Sequence, residues 1–498
     1  MKRRTFVGST MATVVAMPGR SDPFAGIWRA VTQDPGDLQA VRGDGTKVTL
    51  KGRAITELGQ SLHSHLLLAQ SDGYELARQV LNPSINKRPA LIAQPGSVDE
   101  VRSAVAFAKE YGLLVAVKCG GHSFSGQSTC DGGLMVDLSR LRTVTVDPKR
   151  QRVTVAGGSL LGQVDRASAP HGLVTTLGTV SHTGVGGLTT GGGFGRVARR
   201  FGLALDNVRG VEVVTADGKL LRASATENPD LYWGVRGGGG NFGIVTSFEF
   251  ELHPMQPQVI AGNIVFPFAK AEDLWAFYGD YTVAAPDDLY LGITTGIPPG
   301  GGDPYAILDV CYSGPESGAA KAFDPIKRMG TPLADGRKTM DYVMAQSVGD
   351  QTDPRALSMY LKSGFTRQVD RKLAAEAIKG LAGHPARLTQ VFAAQCGGAI
   401  GRVAQGATAF AHRDAQQTVM MAVGWKPGTD PAPHLDYARQ YWKTLEPFTR
   451  GFYTNDLGDE KATEVDANYR ENLGRLVTVK KKYDPTNLFR LNANVRPG

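Results

Sequence analysis

Val117-Lys118-Cys119-Gly120-Gly121-His122-Ser123-Phe124-Ser125-Gly126 is the first of two stretches that decide how this chain reads. The second is Leu177-Gly178-Thr179-Val180-Ser181-His182-Thr183-Gly184-Val185-Gly186-Gly187-Leu188, running on through Gly191-Gly192-Gly193-Phe194-Gly195. Each follows an apolar run with the character of a strand. Glycine has no Cβ, so the backbone there can approach a ligand closely and aim successive N–H groups at it. Two such loops point to one long anionic ligand, such as the pyrophosphate of a dinucleotide. The alternative is a pair of tight turns in a glycine-rich chain.

A chain of 498 residues exceeds one core and predicts two or three domains. With 42% hydrophobic and 20% charged residues it reads as an ordinary globular protein. Its 62 glycines cluster at 120–126, 157–162, 184–195 and 237–243, which is loop chemistry rather than low complexity. The net charge is +8, but the basic residues are scattered, so nucleic acid is not the expected partner. The tight run Lys480-Lys481-Lys482 falls on a predicted helix and reads as a solvated face. Cys119, Cys130, Cys311 and Cys396 have neither CxxC nor zinc spacing. Free thiols and no metal are expected, with Cys119–Cys130 the pair a loop would permit. Residues 1–30 open Met1-Lys2-Arg3-Arg4-Thr5-Phe6-Val7-Gly8 with an apolar run over Met11–Met17, which resembles a twin-arginine export signal. This predicts a periplasmic or secreted protein. The run is short and no clean Ala-x-Ala site follows, so a cytoplasmic protein is the alternative. No other stretch is long and apolar enough to span a membrane.

Leu58, Leu62, Leu66 and Leu67 predict a helix over 56–70, and a second is expected over 74–81. A short strand ends at Ala93. Ser97, with Glu100 three residues later, predicts a capped helix, and Leu113–Val117 is the next strand. Strands follow at Leu134–Leu138, Val144–Val146 and Arg152–Ala156, then a helix near 159–170. Asp217-Gly218 predicts a hairpin turn, and Ile244–Leu252 closes a block over 56–255. Residues 256–450 change to alternating strands with helices at 268–279, 316–329, 370–381 and 432–447, which predicts a second domain built on an antiparallel sheet. Residues 451–498 return to basic, helical sequence. Gly238-x-Gly240-x-x-Gly243 matches the Rossmann fingerprint in letters but precedes a strand instead of opening a helix, which argues against a nicotinamide domain.

Four of these features occur together, in the same order, in a known family. Gly120-Gly121-His122-Ser123, the Val185–Gly195 run, Gly237–Gly243 and Tyr483-Asp484-Pro485-Thr486-Asn487-Leu488-Phe489-Arg490 resemble the berberine-bridge-enzyme-like oxidases of the vanillyl-alcohol-oxidase class. The similarity covers roughly residues 74–498. It implies an α+β fold: a two-subdomain FAD-binding domain of the PCMH type, then a substrate domain with an antiparallel sheet flanked by helices. Residues 451–498 would return to the FAD domain.

The resemblance further implies that His122 is joined covalently to the 8α-methyl of FAD, a role that suits a neutral imidazole. Lys118, Cys119, Gly120, Gly121, Ser123 and Gln127 would border the cofactor from the first loop. Gly178, Thr179, Val180, Thr183, Gly184, Gly186, Gly187, Gly191 and Gly192 would do so from the second. Asn207, Gly240 and Ile244 resemble positions at the adenosine end, and Gly243, Asn455 and Asn492 complete the set. Val180 stands where many relatives carry a second, cysteinyl link, so one covalent bond is expected. Thr183 aligns near the flavin's oxygen-reactive carbon, and its small size is compatible with oxygen access.

Oxidation of an alcohol, an amine or a benzylic C–H also needs a proton acceptor. Relatives often hold a tyrosine in a Tyr-x-Asn-Tyr segment. Here Gly451-Phe452-Tyr453-Thr454-Asn455-Asp456 keeps Tyr453 and Asn455 but ends in Asp456. Asp456 would serve as base if burial raised its pKa, or it would cap the turn after it. Gln395 is expected to reach the pocket, and His412 to be structural. Tyr453, Asp456 and Gln395 are thus the candidate catalytic residues. The implied function is an FAD-linked oxidase passing electrons to oxygen, with a dehydrogenase of the same fold, or a flavin-free binding protein, as alternatives.

Overall fold

The computed structural model describes residues 35–298, 302–351 and 355–498. The twin-arginine-like start lies outside the described residues. Strands Leu66–Leu67, Leu91–Ala93, Leu134–Asp137 and Val115–Lys118 form one sheet in that spatial order. The last three run parallel, because the helix Val98–Tyr111 carries the chain back from Leu91–Ala93 to Val115–Lys118. Ser97 Oγ accepts the Glu100 N–H to cap that helix, and Gly112 stops it at φ 64°. The expected helix over 56–70 is instead Gly52–Ser61. His63 and Ser64 take left-handed backbone and turn the chain, so Leu66 and Leu67 are buried as a strand.

A second sheet is antiparallel and five-stranded, in the order Leu220–Ser224, Val208–Val214, Ile244–Glu251, Arg152–Ala156, Val144–Asp147. The expected turn closes its first hairpin, with Asp217 Oδ1 accepting from Thr215 Oγ1 at 2.6 Å and Gly218 at φ 80°. Ile244 begins a strand directly after Gly243, so the Rossmann-like letters stand in a loop that enters a strand.

The third sheet has eight strands and is antiparallel. Alternation decides its two faces. Leu289, Leu291, Ile293, Val391 and Ala393 join the core beneath helices Ala271–Ala284, Arg371–Gly380 and Ala432–Leu445. Tyr290, Gly292, Thr294, Phe392 and Ala394 point the other way, into a cavity shared with the glycine loops.

The final segment runs back across the molecule. Val465, Tyr469, Leu476, Val479 and Tyr483 pack into the core of the five-stranded sheet, and Leu488 and Phe489 enter the core of the parallel one. The lysine run is not a solvated face throughout. Lys480 is fully buried, its Nζ 2.7 Å from Asp484 Oδ2 and donating to the carbonyls of Asn241 and Phe489 at 2.7 and 2.9 Å. Asp484 in turn accepts the N–H groups of Leu488 and Phe489. A lysine whose donors and partner carboxylate are all satisfied can be buried, and here the pair pins the tail to the loop at 241.

Candidate active site

A cavity of about 660 Å³ lies between the two glycine loops and the open face of the eight-stranded sheet, with the returning segment along one side. Two loops meet there because neither carries side chains at the contact. A Cβ on Gly120 would sit 2.3 Å from Gly184 N, and one on Gly184 would sit 2.3 Å from Gly120 N. Gly121 turns the first loop at φ 69°. A Cβ on Gly187, Gly239 or Gly240 would meet no protein atom within 4 Å, so these glycines leave bare backbone towards the cavity.

Cys119, Gly120, Gly121, His122, Ser123 and Gln127 line the cavity from the first loop. Gly178, Thr179, Val180, Thr183, Gly184, Gly186 and Gly187 line it from the second. Gly240, Gly243 and Ile244 border it too, as do Asn455 and Asn492 from the returning segment. His122 Nε2 lies 2.7 Å from His182 Nδ1, and His122 Nδ1 lies 3.3 Å from Thr183 Oγ1. Burial, and then the neighbouring His182, push the His122 pKa down to about 3, so its imidazole is neutral at physiological pH. All four cysteines are free thiols. Cys119 Sγ points to the Ser159 carbonyl at 3.6 Å, and burial raises its pKa to about 11, which leaves it un-ionised and unreactive.

Asp456 borders the same cavity. Its Oδ2 has no hydrogen-bond partner among the described residues. Burial raises its pKa to about 7, with Ser363 opposing that rise and Glu460 adding to it. That Oδ2 oxygen is thus buried and free of the turn that follows, on a residue that borders the cavity.

Six of the expected site residues are placed differently. Tyr453 borders the cavity, but its hydroxyl accepts the Gly193 N–H at 2.8 Å and an Asn455 Nδ2 hydrogen at 2.7 Å. Burial holds its proton on well above the usual phenol range. Tyr453 therefore braces the glycine loop instead of serving as a free base. Gln395 borders the cavity as expected, but it shares the parity of Val391 and Ala393, and its side-chain amide turns to the helical side. There Oε1 accepts the Leu291 N–H at 2.6 Å, and Nε2 donates to the Thr282 carbonyl at 3.5 Å. Lys118 points away from the cavity, with Nζ 2.5 Å from the Ala77 carbonyl and 3.6 Å from Asp137. Asn207 is buried behind the loop, donating to the carbonyls of Phe201 and Leu203 and accepting from His253. Gly191 and Gly192 make room for protein instead of cofactor. A Cβ on them would strike Asn455 at 2.1 Å and Tyr453 at 2.9 Å. His412 is structural, stacked on Phe365 and bonded through Nε2 to Asn468.

Sequence reasoning gave no role to His182, although it lies within the second quoted stretch, and missed the sheet residues Tyr290, Asp309, Leu361, Phe392 and Met420. The period-two alternation of Leu289–Ile297 was a usable signal for Tyr290, but it does not say which face meets a cavity.

These residues fit FAD. The glycine backbones offer N–H groups where a side chain would block approach, and Asn492 Oδ1 and Ser128 Oγ are buried at the cavity without partners among the described residues. Fold and site together define a two-part α+β flavin enzyme.

The comparisons with known proteins agree. Residues 89–224 match the family described as an FAD binding domain, and residues 454–496 that described as berberine and berberine like. The chain is 29% identical over 448 residues to an FAD-linked oxidoreductase of Dictyostelium discoideum, covering 89% of this chain and 97% of the other. It is 28% identical to (R)-6-hydroxynicotine oxidase of Paenarthrobacter nicotinovorans, covering 88% and 97%. The structure of xylooligosaccharide oxidase from Myceliophthora thermophila with xylobiose is similar at TM-score 0.80 and 25% identity, covering 89% of this chain and 99% of that one. The chain is an FAD-linked oxidoreductase, similar to the berberine-bridge-enzyme-like oxidases. Among the described residues, no helix is long and apolar enough to cross a membrane.

Proposed function

We propose that the protein is an oxidase with FAD bonded once, through His122, acting on an alcohol, an amine or a benzylic C–H. When bound, FAD supplies the two-electron acceptor, taking a hydride at N5 and returning the electrons to oxygen as hydrogen peroxide. Asp456 takes the substrate proton through its unpartnered Oδ2. That buried, unpartnered oxygen, on a residue bordering the cavity that His122 also lines, is the observation that carries the reading. Phe124, Leu361, Phe392, Met420 and Leu457 give the cavity apolar walls, which favours a compact hydrophobic substrate over an oligosaccharide. With Val180 at the position of a second tether and Cys119 un-ionised, one covalent bond is the consistent count. Export by the twin-arginine route to the periplasm or exterior goes with this reading, and cell fractionation tests it.

The test is acid denaturation of the purified protein and of His122→Ala. Colour that stays with the native chain and leaves the variant supports the histidyl link; colour released from both refutes it. Peroxide release is then screened over alcohols and amines. Flavin that is reduced by a substrate but reoxidised slowly in air would make the protein a dehydrogenase.

A further inference from the structure

His122 does not face the cavity alone. Its Nε2 is 2.7 Å from His182 Nδ1, a distance that requires one proton between the two nitrogens. Its Nδ1 has a 3.3 Å contact with Thr183 Oγ1, and Thr183 lines the cavity while His182 stands outside that lining. The two rings lie 4.7 Å apart and are tilted by 42°, so they meet edge to edge through nitrogens instead of stacking. The second histidine is itself held. Ser181, beside it, hydrogen-bonds Asp350 of the other domain, and the Asp350 charge acts on His182.

The shared proton has two possible owners. If His182 donates, His122 accepts at Nε2 and carries its own hydrogen on Nδ1, and neither nitrogen has a free lone pair. If His122 donates from Nε2, Nδ1 is left unprotonated on the side of the cavity. Only the second arrangement leaves a nucleophile.

We propose that His182 is a positioning residue for the flavin link: it accepts the Nε2 hydrogen of His122 and so directs the bond to the flavin 8α-carbon onto Nδ1. This rests on the histidyl-flavin reading above. In that step an N–C bond forms at Nδ1 and one C–H bond of the 8α-methyl breaks. The methyl hydrogen leaves as a proton, and the imidazole yields its Nε2 proton towards His182. The two electrons released reduce the flavin, and dioxygen reoxidises it with formation of hydrogen peroxide.

The experiment uses the full chain with added FAD. Covalent incorporation over time is followed by intact mass and by flavin fluorescence on acid gels. The attached nitrogen is identified by NMR of the isolated flavin peptide. His182→Ala, His182→Asn, His182→Lys and His122→Ala are compared at equal thermal stability and equal total bound FAD. The native protein is expected to be linked at Nδ1. His182→Ala should slow linkage at least about tenfold while still binding FAD. His182→Asn, whose side-chain oxygen can accept, should recover most of the rate, and the donor-only His182→Lys should not. Linkage at Nε2, a His182→Ala rate equal to native, or a His182→Lys rate matching His182→Asn would overturn the proposal. Native protein that releases all its flavin, or His122→Ala that retains it, removes the histidyl link itself and this proposal with it.

Discussion

Asp456→Asn separates catalysis from stability with opposite signs. The side chain keeps its shape but loses the ability to accept a proton. Loss of a positioned base lowers the rate of flavin reduction by about 10²–10⁴-fold. In the native enzyme that rate should depend on a group with a pKa of about 7, set by burial, with Ser363 moderating it. Below that pH the rate falls about tenfold per unit, because the carboxylate must be ionised to act. Ser363→Ala removes a hydrogen bond to the charged form, so the limb should move to higher pH.

Stability runs the other way. The folded pKa of about 7 lies above the ordinary aspartate value of 3.8, so the unfolded chain ionises first. Native stability is lost as pH rises from about 4 to about 7 and is flat above that. Three units at about 1.36 kcal/mol each give at most about 4 kcal/mol. Asp456→Asn should therefore raise Tm by about 2–4 °C at pH 8 and by less than half of that at pH 5. The assays are anaerobic stopped-flow reduction across pH, with a substrate found by peroxide screening, and thermal melts of both proteins. A variant that reduces flavin within tenfold of native, with an unchanged pH limb, would refute the assignment. So would equal melting temperatures at pH 8.

Tyr453→Phe should keep flavin reduction within about tenfold of native, because its hydroxyl is committed to Gly193 and Asn455; a loss of a thousandfold in the same stopped-flow assay would return the base to this tyrosine. Gly120→Ala forces a Cβ to within 2.3 Å of Gly184 N, so the loops must part, and the FAD content per chain measured by absorbance should fall to less than half. Lys480→Ala strands Asp484 in a fully buried site, and breaking such a pair destabilises by about 3–5 kcal/mol, read as a Tm lowered by several degrees at pH 7.

The elements that sequence made legible are those with local causes. Ser97 and Glu100 cap a helix through contacts three residues apart, and Asp217-Gly218 turns a hairpin through its own backbone. The glycine loops were legible for the same reason, since bare backbone is written in the letters. What stayed hidden depended on distant partners. Leu66 and Leu67 sit at helical spacing from Leu58, yet a neighbouring strand claims them. Lys480 reads as surface until Asp484 and two remote carbonyls are seen to satisfy it. Gln395 and Phe392 differ by an odd number of positions, so one reaches the cavity wall with its side chain and the other turns to the helices. Periodicity groups such residues without saying which group faces which layer.

The placement of Asp456 links the two halves of the site. Asn455, one residue earlier, donates to the Leu188 carbonyl at 3.0 Å and to the Tyr453 hydroxyl, and that hydroxyl also accepts from Gly193. The segment is thus tied to the second glycine loop. On its other side, Ser363 Oγ of the eight-stranded sheet accepts the Tyr453 N–H at 3.2 Å and also bonds Asp456. Asp456 is therefore tied to the second glycine loop and to the eight-stranded sheet at once. On the sheet, Ser363 makes that contact and the cavity-facing residues Phe392, Met420 and Tyr290 do not. Those three can differ to suit a substrate without moving the carboxylate, because none of them holds it. The proposed base thus sits on the returning tail, a segment that touches both the glycine loop and the eight-stranded sheet at the cavity.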